Sequence, residues 1–278
     1  MFLADESRPI DLSITEERWL LRLGSFATWE QARRSCPGGP ERSAALIDLA
    51  ESCGALQEPH ECWWLSPQQR IDAQPHLLAL SAWHADPQQA IAARASTFVR
   101  VIGENHVADY VRSLIGLVGL LEADRGDASP ATISIVAGIN GIDTPGALFD
   151  AHRELLESPH LPVSVHRARA SVGPLVIPGR SPCLRCIHLH GRDADPTWPI
   201  VAEQWARARA SWSHAADPLL AMLAAVSAAS MVRLWVDAPE SVDGHQVRWQ
   251  LPQAAPTIRK FSAHPTCGCL WSSPEVAA

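Results

Sequence analysis

The stretch Thr97-Phe98-Val99-Arg100-Val101-Ile102-Gly103-Glu104-Asn105-His106-Val107-Ala108 sets the fold class, because an apolar β-branched run meets a glycine turn and then a helical pattern. The strand is expected at Thr97–Ile102 and the helix from His106 to about Leu121. Further along, strands are expected at Thr132–Ala137 and Leu161–His166, with a helix from Gly146 to Glu157 between them. Strand and helix alternate, so the prediction is an α/β domain with a parallel sheet and right-handed crossovers. The turn stands where a G-x-G-x-x-G dinucleotide fingerprint would stand, yet only Gly103 survives, with Asn105 and Ala108 in the later positions. Gly103 and Asn105 therefore read as a vestigial nucleotide turn, and an ordinary strand-to-helix turn is the plainer alternative. The interval from Glu122 to Pro130 is too short for a further strand and helix, so the strand that offers an acidic residue to a ribose is expected to be missing.

Composition narrows the function classes. The 278 residues are 47% hydrophobic, enough to bury a real core. A net charge of −7 lacks the basic bias of general nucleic-acid binding. Lysine occurs once, at Lys260, which leaves no lysine in the sheet to grip phosphates. Met1 to Leu20 is interrupted by Asp5, Glu6, Asp11, Glu16 and Glu17, so no secretory signal is expected and the protein is placed in the cytoplasm. The apolar run Pro218–Val232 falls short of the roughly 20 residues of a bilayer span and reads as a buried helix, not a membrane anchor.

Residues 1–66 read as a winged-helix-like peptide-recognition module. Thr28 can cap a helix over Trp29–Ser35, Cys36-Pro37-Gly38-Gly39-Pro40 breaks it, and a second helix runs from Glu41 to Cys53. Ala55-Leu56-Gln57 and Cys62-Trp63-Trp64-Leu65 flank a polar turn and read as a strand pair. Peptide capture by strand addition to this wing would draw on Leu46, Leu49, Trp63 and Trp64. Tryptophans that merely pack the linker are the open alternative. Residues 67–95, with Pro67, Pro75, Pro87 and repeated Gln pairs, read as a linker with short helices, and 96–278 as the sheet domain.

Cys183-Leu184-Arg185-Cys186 and Cys267-Gly268-Cys269 carry the strongest chemistry. Thiolates so spaced around tight turns can converge on one tetrahedral zinc, and two half-sites close a four-sulfur shell with no open position, hence a structural metal. Gly268 allows the sharp bend, and His264 is a candidate substitute ligand. A redox pair at Cys183 and Cys186, or unrelated buried thiols, are the alternatives. Redox pairs usually open a helix, whereas Pro178–Pro182 reads as a loop, and the second cysteine pair favours a metal. Cross-linking two such distant segments restricts the unfolded chain by on the order of 4 kcal/mol. Between the pairs, helices are expected from an Asp195 cap through Ala208 and over Pro218–Val236, followed by strands Gln246–Leu251 and Thr257–Phe261.

The segments Val172–Cys186, Asp193–Pro199 and His264–Cys269 resemble the ThiF/E1-like proteins of thiazole/oxazole-modified peptide biosynthesis, in a shortened form. The resemblance covers about Ser96 to Cys269. It implies a degenerate, Rossmann-type E1-like domain with a four-cysteine zinc site, a scaffold that has lost adenylation and works beside a YcaO-type cyclodehydratase. It also implies an N-terminal module that binds a precursor leader peptide, and a homodimer through the sheet domain. ATP is not expected as a cofactor, since the fingerprint is eroded. Two alternatives of other classes are an active ATP-dependent adenylating enzyme and a winged-helix DNA-binding regulator. For the latter, Arg33, Arg34 and Arg42 supply some positive charge, which nearby carboxylates offset.

Overall fold

A computed structural model describes residues 12–23, 28–52, 67–123, 131–137, 155, 157–208 and 217–270. The chain divides into two units, Met1–Gln88 and Gln89–Ala278.

The first unit opens with helix α1 (Ile14–Leu21), set by a capping box: the Ser13 hydroxyl accepts from the Glu16 amide, and the Glu16 carboxylate accepts from the Ser13 amide at 2.8 Å. The Ser-x-x-Glu spacing signals this start, and the helix adds to the two expected in this unit. Helix α2 (Trp29–Arg34) is capped by Thr28 as expected, and α3 (Gly39–Ser52) follows after the Pro-Gly break. Trp19, Cys36, Leu46 and Ile47 form the small core, and the Trp19 indole donates to the Ala32 carbonyl at 3.0 Å. Arg42 Nε donates to Glu16 at 2.6 Å. That bond, with help from Ser13, holds the Glu16 carboxyl down at about 2. The strand pair expected over 55–57 and 62–65 lies outside the described residues. Residues 67–95 are largely helical: α4 (Pro67–Ser81) buries Ala73, Leu77 and Leu80, and α5 (Pro87–Ala95) runs across the division between the units.

Among the described residues the second unit has seven strands: β1 (Phe98–Ile102), β2 (Leu121–Glu122), β3 (Ile133–Ala137), β4 (His160–His166), β5 (Arg169–Val172), β6 (His245–Gln250) and β7 (Thr257–Lys260). Their order is β2-β1-β3-β4-β5-β6-β7. The first four are parallel and the last three antiparallel, so the parallel sheet expected from the sequence holds for half of the sheet. Two-residue β2 is a correction: a second strand does follow α6 (His106–Ile115), pairing parallel with β1. A strand so short leaves no alternation to read. Every residue of β3 is buried, as a central parallel strand requires. The helix expected over 146–157 lies mostly outside the described residues.

Among the described residues three helices, not two, lie from the first cysteine pair to the second: α7 (Leu184–Ala194), α8 (Trp198–Ala208) and α9 (Pro218–Asp237). Asp195 closes α7, and its carboxylate then accepts from the Thr197 amide at 2.9 Å ahead of α8. Helix α9 begins at an Asp217 cap with Pro218 in its first turn. It runs 20 residues, ending one past the expected Val236, and is apolar enough to cross a membrane by length and composition. Here it packs on α6, β4 and β5, burying Leu220, Ala224, Ala228 and Val232 against the sheet. Its last residue, Asp237, is fully buried and clamped by Arg94, Nε to Oδ1 at 2.7 Å and Nη2 to Oδ2 at 2.6 Å. This pair pins the end of α5 to the end of the central helix.

Two outcomes are expected. Glu16 contributes stability that is full above pH 4.5 and is lost as pH falls toward 2, so acid denaturant melts of wild type are expected to fall more steeply across that window than those of Arg42→Gln. Asp237→Ala strands a buried guanidinium and is expected to cost about 3–5 kcal/mol in urea melts, while the double change Arg94→Met with Asp237→Leu costs much less.

Candidate metal centre

The loop before Cys183 is fixed by Ser181, whose hydroxyl accepts from the Ile177 amide at 2.7 Å and donates to the Leu175 carbonyl at 3.1 Å. Arg180 adds an ion pair to Asp243 at 3.0 Å. Cys183 is the N-cap of α7, with extended backbone, and Cys186 lies in the first turn. The CxxC pair thus opens a helix, contrary to the expectation of a plain loop. It follows a loop and not a strand, because Pro178–Pro182 must carry the chain around from the sheet. At the other half-site Gly268 has φ +75°, the left-handed conformation that turns Cys267 and Cys269 toward the same point.

The four sulfurs converge. Cys183 Sγ lies 3.5 Å from Cys267 Sγ and 3.9 Å from Cys186 Sγ, and Cys186 Sγ lies 3.4 Å from Cys269 Sγ. All four lie within 4.8 Å of one another. A tetrahedron with Zn–S bonds of ~2.3 Å sets its sulfurs about 3.8 Å apart, so the cage has the dimensions of a four-thiolate metal site. Burial pushes the Cys183 and Cys269 thiols up to about 11 and raises Cys267 as well. Burial also acts on Cys186, but donation from the His264 backbone and from Cys269 outweighs it and brings that thiol down. Neighbouring thiolates repel in a half-buried cage, and a divalent cation removes that penalty.

His264 is not a fifth donor. Its Nδ1 accepts from the Thr266 amide at 3.2 Å, so the ring proton sits on Nε2 and is donated to Asp193 Oδ2 at 2.8 Å. Both nitrogens are occupied, which corrects the substitute-ligand expectation. The buried imidazole instead ties the second cysteine turn to the end of α7, and its carbonyl accepts from the Cys267 amide at 2.9 Å. His190 packs edge-on against it at 4.8 Å. Sequence reasoning missed Asp193 and Thr266 as supports of the cage; the His-x-Thr spacing beside a cysteine turn was the available signal.

The turn after β1 is tightly built. Gly103 has φ +132°, and a Cβ there would stand 2.3 Å from the Ala137 carbonyl oxygen. Asn105 caps α6, accepting from the Ala108 amide at 3.1 Å and donating to the Ala137 carbonyl at 3.1 Å. Its side chain thus bridges the start of α6 and the end of β3, where phosphates would rest on a helix N-terminus. Arg112 reaches back to the Val101 and Gly103 carbonyls at 3.2 and 2.8 Å. Its Nε lies 3.7 Å from Glu122, the acidic residue at the end of β2. Of the residues expected to bind peptide, Leu46 is 1% exposed in the core, Leu49 is half-buried, and Trp63 and Trp64 lie outside the described residues.

No family model matches the chain, and no curated protein matches its sequence. Solved structures share its fold. The heterocyclase TruD aligns at 16% identity and TM-score 0.58 over 87% of this chain and 36% of its own. A heterocyclase in complex with substrate and cofactor aligns at 18% and 0.57, over 88% and 33%. MccB of E. coli, solved with MccA, aligns at 10% and 0.59, over 96% and 94%. The chain therefore spans about a third of each heterocyclase and nearly the whole of MccB. At these identities the likeness defines the class of fold, the mixed α/β fold of heterocyclase and MccB structures.

Cys183→Ser or Cys269→Ser is expected to abolish stoichiometric uptake of zinc added to chelator-treated protein, read by elemental analysis. Asp193→Asn and His264→Ala keep all four sulfurs and are expected to weaken zinc retention against a competing chelator by about 10–100-fold.

Proposed function

We propose that this chain is a zinc-stabilised, non-adenylating E1-like scaffold that binds a ribosomal precursor peptide and presents it to a partner YcaO-type cyclodehydratase. The observation that carries the reading is the four-thiol cage set into the fold that the heterocyclase TruD and MccB also use. MccB is a microcin C7 biosynthetic enzyme seen with N-formylated MccA and with selenomethionine MccA. That MccB is solved with MccA supports a comparable binding partner here, which we take to be a peptide. A saturated thiolate shell leaves zinc a structural task, holding the loop before α7 against the chain after β7.

Loss of adenylation is supported by what fills the strand ends. Asn105 takes the helix N-terminal position that phosphates would need, and Lys260, the single lysine of the chain, lies exposed on β7. Recognition of the peptide would fall to the N-terminal module, through Leu49, Trp63 and Trp64, with Leu46 acting from within its core. The protein would work in the cytoplasm, as a homodimer through the sheet domain.

One observation favours a second reading, an active ATP-dependent adenylating enzyme. Strand β2 ends in Glu122, about twenty residues after Gly103, where a ribose-binding carboxylate belongs, and MccB is also known with ATP. Calorimetric titration with Mg-ATP and pyrophosphate exchange separate the two. No saturable binding and no exchange are expected, and exchange would establish the second reading. In parallel, labelled synthetic peptides from the short reading frames beside the gene, titrated against the full chain, are expected to give one saturable binder. The double variant Trp63→Ala, Trp64→Ala is expected to lose it.

A further inference from the structure

The antiparallel half of the sheet has two unlike faces. Val163, Val165, Ala170, Val172, Val247 and Trp249 point to α9, and the Trp249 indole donates to Ser227 of that helix at 3.0 Å. The opposite face carries three arginines whose positions are fixed by register. His166 pairs with Arg169, which pairs with Gln250, and Arg248 pairs with Ser171 on one side and Thr257 on the other. Arg259, two residues from Thr257 and on its face, pairs with Gln246, two residues from Arg248. Arg169, Arg248 and Arg259 are thus diagonal neighbours on three adjacent strands, within reach of one another's long side chains.

Among the described residues none of the three forms an ion pair, whereas Arg42, Arg94 and Arg180 each meet a carboxylate. Burial, then Arg259 and Arg169, push the half-buried Arg248 guanidinium down. Adjacent like charges cost stability, and a ligand bearing carboxylates neutralises them. Beside the row, β7 ends the sheet, with all four residues exposed and, among the described residues, no strand on its outer side. On the other face of that edge Ile258 is 67% exposed.

We infer that β7 and the row Arg169, Arg248, Arg259 form a docking edge for an extended acidic peptide segment whose carboxylates alternate with apolar residues. Added to β7 as a further strand, such a segment satisfies its main chain on the free edge. Its acidic side chains fall beside Arg259 and Thr257, with Arg248 one strand further in, and its apolar ones beside Ile258 on the opposite face. Period-2 alternation is what an edge with one cationic and one apolar face selects. The site uses neither the thiol cage nor the wing, so it stands or falls apart from the function proposed above.

The test is fluorescence anisotropy of a labelled peptide of repeated Glu-Val-Glu-Thr against the full-length protein, with a Gln-Val-Gln-Thr peptide and oligo(dT) as competitors. Saturable binding is expected at about 0.01 M salt and loss at about 1 M. Arg248→Gln with Arg259→Gln is expected to weaken it roughly tenfold or more, while Arg33→Gln with Arg34→Gln, equal in charge lost but on α2, leaves it unchanged. Arg259→Gln alone, on an exposed edge, keeps the measurement meaningful if the double variant melts early. Equal binding of the glutamine peptide, indifference to the β6–β7 substitutions, or tighter binding of oligo(dT) would each overturn the inference, the last in favour of nucleic acid.

Discussion

Four sulfur atoms from two segments more than eighty residues apart lie within 4.8 Å of one another, and much of the second unit is arranged to make that meeting hold. The first pair is delivered by a loop that Ser181 and Arg180 tie down, and by the first turn of α7. The second is delivered by a left-handed glycine and an imidazole wedged between Thr266 and Asp193. Burial raises the Cys183 and Cys269 thiols, and the distances among the four sulfurs are those of a cage that could hold a metal ion.

The same economy governs the strand ends. In a nucleotide-binding sheet the helix N-terminus after β1 is left open for phosphate. Here Asn105 spends its side chain on that terminus and on the Ala137 carbonyl, and Arg112 covers the Val101 and Gly103 carbonyls while lying beside Glu122.

Burial of charge marks how the unit is fastened. Arg94 and Asp237 sit out of water in a bidentate pair, an arrangement that adds little net stability over apolar packing yet penalises any slip of α5 against α9. Helix α9 itself would pass for a membrane span on composition. Its packing on α6, β4 and β5 agrees with the buried helix read from the sequence.

Local signals determined much on their own. The alternation around Gly103 gave β1 and α6, Thr28 gave a helix start, and the cysteine spacing gave the four thiols that converge, because caps, turns and periodicity act over a few residues. The capping box at Ser13 is equally local, and its helix was legible there too. What the sequence could not contain was pairing. The two-residue β2, the antiparallel half of the sheet, the occupation of both His264 nitrogens, the Arg94–Asp237 clamp and the row of arginines on one face all arise from contacts between distant segments. Strand register and side-chain partners across it are set by the closing of the whole sheet, so tertiary structure alone decided them.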